Sequence, residues 1–170
     1  MPKLIRNREL TADSWRLLEG DAAKAVPPAG DVIVPLAVWR EQRDALAARE
    51  GRTGVWLAPH EDPAALAGDL DRLPLVAVSF PKFTDGRGFS TARLLRERYR
   101  FKGELRAVGD VLRDQLLFLA RCGFDAFVLR DDQDAEAALA AFADFTEAYQ
   151  GGVDQPVPLF RRRLAAGSSR

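Results

Sequence analysis

The feature of this sequence that most restricts its fold is the regular alternation of short apolar runs with helix-compatible segments. The segment after the fourth run, for example, places Leu112, Leu116 and Leu119 at helical spacing. Repeated alternation of this kind predicts an α/β fold with a mainly parallel sheet of about five βα units. The five runs that we predict as strands of these units are residues 31–36, 54–58, 75–80, 104–108 and 125–129. Residues 1–30 have no regular pattern, and Leu4, Ile5 and residues 15–18 are compatible with one or two further short strands.

Two architectures accommodate about five βα units. One is an incomplete (β/α)-barrel-like sheet, since the complete barrel needs about 250 residues. The other is an open doubly wound sheet, which the chain length of 170 residues favours. The segment GFDAFVLR at 123–130, which follows a predicted helix, is typical of a (β/α) barrel. We expect a single domain over residues 1–160 and a flexible C-terminal tail over residues 161–170.

The composition excludes several classes of function. Lys plus Arg and Asp plus Glu both total 25, so no net charge attracts the chain to nucleic acid or to a membrane surface. One cysteine, Cys122, cannot form an intrachain disulfide or supply the four thiolates of an iron–sulfur cluster. With one histidine, His60, no metal site is expected, and the sequence leaves open whether the protein uses a cofactor. The N-terminus MPKLIRNREL lacks a signal-peptide core, which predicts a cytoplasmic protein.

The loop after the third predicted strand carries the sharpest local signal, the residues DGRGFS at 85–90. Two glycines beside an arginine at the start of a helix can expose backbone N–H groups, which together with a guanidinium bind a small oxyanion. The alternative is a tight strand-to-helix turn that needs its glycines and is capped by a serine. The predicted ligand-binding residues of this loop are Lys82, Gly86, Arg87, Gly88 and Ser90.

An arginine inside the fourth apolar run, Arg106, is the second candidate ligand-binding residue. A charge at such a position is costly unless a carboxylate meets it. Its expected partners are Asp85, Asp110 and Asp114, which follow the third and fourth predicted strands. The cluster is either the frame of a polar pocket or a structural ion pair.

The same three aspartates, Asp85, Asp110 and Asp114, are the candidate catalytic residues. Asp110 and Asp114 are four residues apart at the start of a predicted helix. Paired carboxylates can divide the roles of acid and base between them. Asp110 is alternatively the N-cap of that helix.

Residues 80–130 resemble the bacterial domain of unknown function 934 family. The motifs that carry the resemblance are DGRGFS at 85–90, RAVGD at 106–110, DQ at 114–115 and CGFD at 122–125. Members of that family are often labelled as oxidoreductases involved in sulfite reduction, because they accompany assimilatory sulfite reductase. The resemblance therefore implies a role in sulfur assimilation, and it brings no established catalytic residues with it.

Two hypotheses follow for function. In the first, the protein is an accessory factor of assimilatory sulfite reduction that binds sulfite reductase or a small oxyanion such as sulfite. In the second, it is a stand-alone α/β enzyme, an oxidoreductase or a lyase, that uses Asp and Arg residues at the strand ends. A homodimer is a further expectation, since the well-separated Trp15, Trp39 and Trp56 belong either to the core or to a dimer surface.

Overall fold

The structure is a computed structural model that describes residues 4–23, 25–27 and 29–167. Its strands are β1 (Leu4–Arg6), β2 (Glu9–Thr11), β3 (Arg16–Leu17), β4 (Val32–Pro35), β5 (Thr53–Leu57), β6 (Leu75–Phe80), β7 (Glu104–Gly109) and β8 (Ala126–Val128). Its α-helices are α1 (Leu36–Ala48), α2 (Arg87–Arg93), α3 (Leu116–Arg121), α4 (Ala135–Leu139) and α5 (Leu159–Gly167). Short 3₁₀ turns cover Gly20–Ala23, Pro63–Leu66, Leu70–Arg72, Arg113–Gln115 and Ala140–Ala143.

The strands form one curled half-barrel sheet in the order β2-β1-β8-β7-β6-β5-β4-β3. The six strands from β3 to β8 are parallel and lie side by side in chain order, whereas β1 is antiparallel to both β8 and β2. The prediction of a mainly parallel α/β fold is confirmed, but the sheet has more strands than the five predicted. The strand order never reverses among the parallel strands, so the doubly wound alternative is wrong and the barrel-like one is right.

One face of the sheet carries the main core. Alternate strand residues point to this face, and they pack against apolar side chains of the helices, such as Trp39 of α1, Leu95 after α2 and Leu119 of α3. Because each crossover returns over the same face, the neighbouring strands can curl progressively round a common axis.

The opposite, concave face is filled by the segment at residues 12–18, which includes the short parallel strand β3. Trp15 and Leu17 pack there with Trp56 against the apolar residues Ile33, Leu75, Ala77 and Val108. The indole N–H of Trp56 donates a hydrogen bond to the Leu18 carbonyl at 3.0 Å, which holds the segment to β5. Trp39 lies on the other face, where its indole donates to the buried Asp69. All three tryptophans therefore contribute to packing within the chain.

The amino-terminal end of the sheet is held by Arg96, which lies in a π turn (Leu94–Arg98) that continues α2. Its guanidinium donates to the carbonyls of Phe101, Gly103 and Gly123 and to the carboxylate of Asp125, at 2.7–2.9 Å. Burial raises the pKa of Asp125, and the charge of Arg96 acts against that rise. One side chain therefore connects the loops that enter β7 and β8.

We expect Arg96→Ala to lower the free energy of unfolding by about 2–3 kcal/mol, because it leaves half-buried acceptors without a donor. Arg93→Ala is the matched control, since Arg93 pairs with Glu97 on the exposed side of the same helix. It should change the free energy by about 0.5 kcal/mol or less. Urea denaturation measures both values, and equal effects of the two substitutions would contradict the role of Arg96.

The pattern of residues 135–149 predicts one continuous helix, and the structure departs from that prediction. The residues AAFADFTEAY continue the helical pattern of α4 in the sequence, yet α4 ends at Leu139 and is followed only by one 3₁₀ turn. Helix α5 covers most of the segment predicted as a tail. Residues 168–170 lie outside the described residues, and the flexibility of the tail stays a prediction.

Candidate functional site

The loops after β6 and β7 meet at the carboxyl-end rim of the sheet. Phe80 and Gly109 are register partners at the ends of these parallel strands. The carboxylate of Asp110 accepts a hydrogen bond from the backbone N–H of Phe83 at 2.8 Å. The turn at 85–88 and the end of the segment at 106–110, Gly109 and Asp110, therefore emerge at the same rim, as the predicted parallel pairing requires. Asp110 is not the helix N-cap of the alternative prediction, because its carboxylate serves this loop.

The glycines of the two loops have packing roles. A Cβ atom on Gly88 would lie 2.5 Å from the ring of Phe80, so α2 can approach β6 only with glycine there. Gly109 has a φ of +98°, in the left-handed region that favours glycine. Gly86 meets neither restriction. For Gly88, the geometry supports the tight turn that was the alternative to an oxyanion cradle.

Arg87 already holds a carboxylate. Its Nε and Nη2 atoms donate to the two carboxylate oxygens of Asp85 at 2.9 and 2.7 Å, and its backbone N–H donates to the same carboxylate. The hydrogen bond from Arg87 is the main cause that lowers the pKa of Asp85 to about 2. Asp85 therefore occupies the position that an oxyanion would take on Arg87. Ser90 is exposed inside α2 and does not cap it, and Lys82 is exposed in the loop.

A second ion-pair cluster at the rim is centred on Arg130, two residues after the end of β8. Its guanidinium donates to Asp110 at 2.7 Å and to both carboxylate oxygens of Asp132 at 2.7 Å. The hydrogen bonds from Asp132 and then Asp110 raise the pKa of Arg130 further above its usual range. The pKa of Asp132 falls to about 2, chiefly because of Arg130. The predicted site omitted Arg130, although its position after the fifth apolar run was the signal that could have identified it.

The pKa values of Asp85 and Asp132 predict ion pairs that resist acid. Because both values lie below the ordinary value of 3.8, the contribution of these pairs is present at neutral pH and is lost as the pH falls towards about 2. We expect the carboxyl ¹³C signals of both residues to be those of the ionised form down to about pH 3. Arg87→Ala should return the Asp85 midpoint towards 3.8 and leave Asp132 unchanged. A wild-type Asp85 midpoint near 3.8 would contradict the pairing.

Arg106 lies away from the rim, on the concave face of β7. Its side chain is 1% exposed. Nη1 donates to Asp13 at 2.8 Å and Nε donates to Glu104 at 2.7 Å, while Nη2 lies 2.6 Å from the same Glu104 oxygen in ionic contact. The predicted partners Asp85, Asp110 and Asp114 are therefore wrong. Asp13 comes from the segment across the concave face, 93 residues away in the chain, which no local pattern indicates.

Asp110 and Asp114 do not share a helix face. Asp110 lies in the loop after β7, and Asp114 lies in the 3₁₀ turn before α3. Asp114 lines an open groove of about 520 Å³, between α3 and the chain that follows α4. Because the two carboxylates do not lie side by side on one helix, the geometry does not support a paired acid–base role for them.

The groove is a second candidate site beside the rim, and its walls are aromatic and charged. Phe145 is 71% exposed and Phe118 is 57% exposed, and the ring of Phe118 contacts Phe89 at 5.0 Å between centroids. The guanidinium of Arg8 lies over the ring of Phe142. The aromatic and charged side chains that line the groove include Arg8, Asp114, Phe118, Arg121, Phe145 and Asp154.

The remaining reactive groups are placed less favourably for chemistry. Cys122 is buried, and burial raises the pKa of its thiol, which favours the unreactive neutral form. Across the described ranges, no three Asp, Glu, His or Cys residues gather as metal ligands. Within those ranges, too, no helix has the length and apolar character needed to cross a bilayer.

Comparison with known proteins agrees with the resemblance noted in the sequence. The model of the family described as "Bacterial protein of unknown function (DUF934)" matches residues 54–160, which is more than half of the chain. No curated protein matches the chain. The matched region contains the loops of the carboxyl-end rim, α3 and most of the groove. The chain belongs to this family of bacterial proteins of unknown function.

Proposed function

We propose that this protein is an accessory factor of assimilatory sulfite reduction that acts by binding sulfite reductase. The pathway comes from the resemblance to a family whose members accompany that enzyme. The mode of action rests on one observation, the open groove with the exposed aromatic rings of Phe118 and Phe145.

Exposed rings at a concave surface favour protein binding. Aromatic side chains are enriched among the residues that carry most of the energy of protein interfaces, because they bury a large area with little loss of conformational freedom. Neither Phe118 nor Phe145 belongs to the buried core. In the free protein their apolar surface is in contact with water, which is unfavourable. A partner that covers the rings would remove this unfavourable free energy.

The rim supports the alternative, an oxyanion site, less well. Arg87 and Arg130 each hold a carboxylate from a residue two positions away in the chain. An external oxyanion would have to displace a tethered carboxylate, whose effective concentration is on the order of millimolar or higher. Arg106, the third arginine of that hypothesis, is buried between Asp13 and Glu104. The charge pairing of the rim therefore favours protein binding over oxyanion binding.

A gene-replacement experiment tests the proposal. We expect deletion to impair growth with sulfate as the sulfur source, and a tagged wild-type copy to restore growth and co-purify with sulfite reductase. Phe118→Asp/Phe145→Asp should neither restore growth nor co-purify with sulfite reductase. Arg87→Ala should succeed, because it alters only the rim.

The matched control for the groove variant is Ala45→Asp/Ala64→Asp, which adds the same two carboxylates at exposed positions that do not line the groove. It should behave as the wild type does. Restoration of growth by the groove variant, together with failure of Arg87→Ala, would contradict the proposal and support an oxyanion site at the rim.

A stand-alone enzyme is the second candidate, and the position of Asp110 favours it. In barrel-like folds the catalytic groups lie at the carboxyl ends of strands, where Asp110 follows β7 and is held by Arg130 and the Phe83 N–H. The isolated protein can be assayed for sulfite reduction with a reduced viologen as electron donor. Turnover that Asp110→Asn abolishes without lowering the melting temperature would support the enzyme, and absence of turnover would count against it.

A further inference from the structure

The C-terminal helix presents an apolar edge to solvent. Phe160 and Leu164 are four residues apart on α5, so they lie on one face, and they are 46% and 68% exposed. The exposed ring of Tyr149 contacts Phe160 at 6.4 Å between centroids. We call Tyr149, Phe160, Arg161, Arg163 and Leu164 the basic-aromatic edge.

The opposite side of α5 is anchored next to the groove. Arg162 Nη2 donates to Glu147 at 2.6 Å, and Glu147 itself lines the groove. The backbone N–H of Leu159 donates to the Tyr149 carbonyl at 3.2 Å. These contacts fix the helix so that its basic-aromatic edge borders the groove.

The edge carries an excess of positive charge. The pKa of Glu147 is lowered by its hydrogen bond with Arg162 and further by the charge of Arg163. One negative charge therefore lies beside two positive ones. Arg161 makes no ion pair with any residue that the structure describes, and its guanidinium lies over the ring of Phe160. The charge here contrasts with the zero net charge of the whole chain.

We infer that the basic-aromatic edge and the groove together receive an acidic segment with interspersed apolar residues, supplied by a partner protein. Carboxylates of that segment complement Arg161 and Arg163 at the edge, and its apolar side chains cover Phe160 and Leu164. In the groove the segment places apolar side chains on Phe118 and Phe145, because the charged lining there includes the carboxylates of Asp114, Glu147 and Asp154 beside Arg8 and Arg121. A flat anionic bilayer would match the charge, but it cannot fill a concave groove of about 520 Å³ beside the helix. The inference rests on the proposed function in that it assigns the groove to protein binding, and it adds the chemistry of the partner.

A peptide selection on the full chain tests the inference without knowledge of the partner. We expect random peptides displayed on phage and selected on the wild type to be enriched in Asp and Glu together with Leu, Phe or Trp. A synthetic peptide from that set, labelled for fluorescence anisotropy, should bind about 30-fold more weakly to Arg161→Glu/Arg163→Glu. Its affinity for the wild type should fall with added salt.

The matched control is Arg40→Glu/Lys102→Glu, which reverses two exposed cations away from α5 and should leave the affinity unchanged. The inference is overturned if no sequence is enriched, if the enriched peptides are neutral or basic, or if both double variants bind equally. Binding to phosphatidylserine vesicles that the Arg161/Arg163 reversal abolishes would assign the edge to a membrane instead. Enrichment of acidic peptides without co-purification of sulfite reductase would sink the proposed function and leave the inference standing.

Discussion

Arg106→Ala should lower the free energy of unfolding by about 3–5 kcal/mol, the largest stability loss that we expect from a single substitution in this protein. The substitution removes a buried guanidinium, leaves the carboxylate of Asp13 without its counter-charge and leaves Glu104 with only its 3.7 Å ion pair to Arg6. It also releases the segment at residues 12–18 from β7, since Asp13 is the residue of that segment that binds the arginine. Trp15 and Leu17 would lose their fixed position on the concave face.

Urea denaturation measures the change, and Arg113→Ala is the matched control. Arg113 pairs with Asp144 at 3.2 Å on the surface, where an ion pair contributes about 0.5 kcal/mol. Adding Asp13→Asn to Arg106→Ala should recover part of the loss, because it removes one of the uncompensated charges. A loss below about 1 kcal/mol for Arg106→Ala would show that the concave face does not depend on this cluster.

The second large effect concerns binding. Phe118→Asp/Phe145→Asp should weaken the affinity for purified sulfite reductase at least about 100-fold, since aromatic hot spots contribute about 2 kcal/mol or more each. Each carboxylate would in addition be desolvated in the interface. Isothermal titration calorimetry measures the affinity.

Two controls separate binding from folding. Both rings are more than half exposed, so the free energy of unfolding of the double variant should lie within about 1 kcal/mol of that of the wild type. Phe118→Leu/Phe145→Leu should retain part of the affinity, because it keeps apolar area in the groove. Unchanged affinity in the Asp variant would exclude the groove as the binding surface.

The strands of the parallel sheet could be predicted because they are buried on both faces and are therefore nearly continuous apolar runs. The run LVAVSF corresponds to β6 residue for residue. The choice between barrel-like and doubly wound topology depends on which face each crossover covers, and no single run carries that information. The extra strands are two or three residues long. Two of them, β1 and β3, fall on the short stretches at Leu4–Ile5 and 15–18, whereas β2 is too short for a period to be visible.

The β1–β2 hairpin illustrates the difficulty. Its turn residues Asn7 and Arg8 both have positive φ values, +52° and +67°, as a two-residue type I′ turn requires. Glycine usually occupies the second of these positions, and arginine there gives no turn signal. The antiparallel pairing with β8 supports this unusual turn, because the N–H of Asn7 donates to the Asp125 carbonyl at 2.8 Å.

The candidate site was predictable only in part. Parallel pairing was enough to bring Asp110 and the loop at 82–88 to one rim. The groove could not be predicted, because a continuous helix over residues 135–149 would have placed Phe145 and Tyr149 on the same face as the buried Phe142. In the structure the chain turns away after the 3₁₀ turn, where Asp144 lies beside Arg113, so the local helical pattern does not decide its course. Phe118 did carry a signal, since it falls outside the stripe of Leu116 and Leu119.

Amide hydrogen exchange of the full chain, alone and with purified sulfite reductase, tests the central claim most directly. Binding through the groove predicts slower exchange over residues 114–121 and 145–155 in the complex, with residues 82–88 at the rim unchanged. Protection at the rim with an unprotected groove, or no protection anywhere, would contradict the claim.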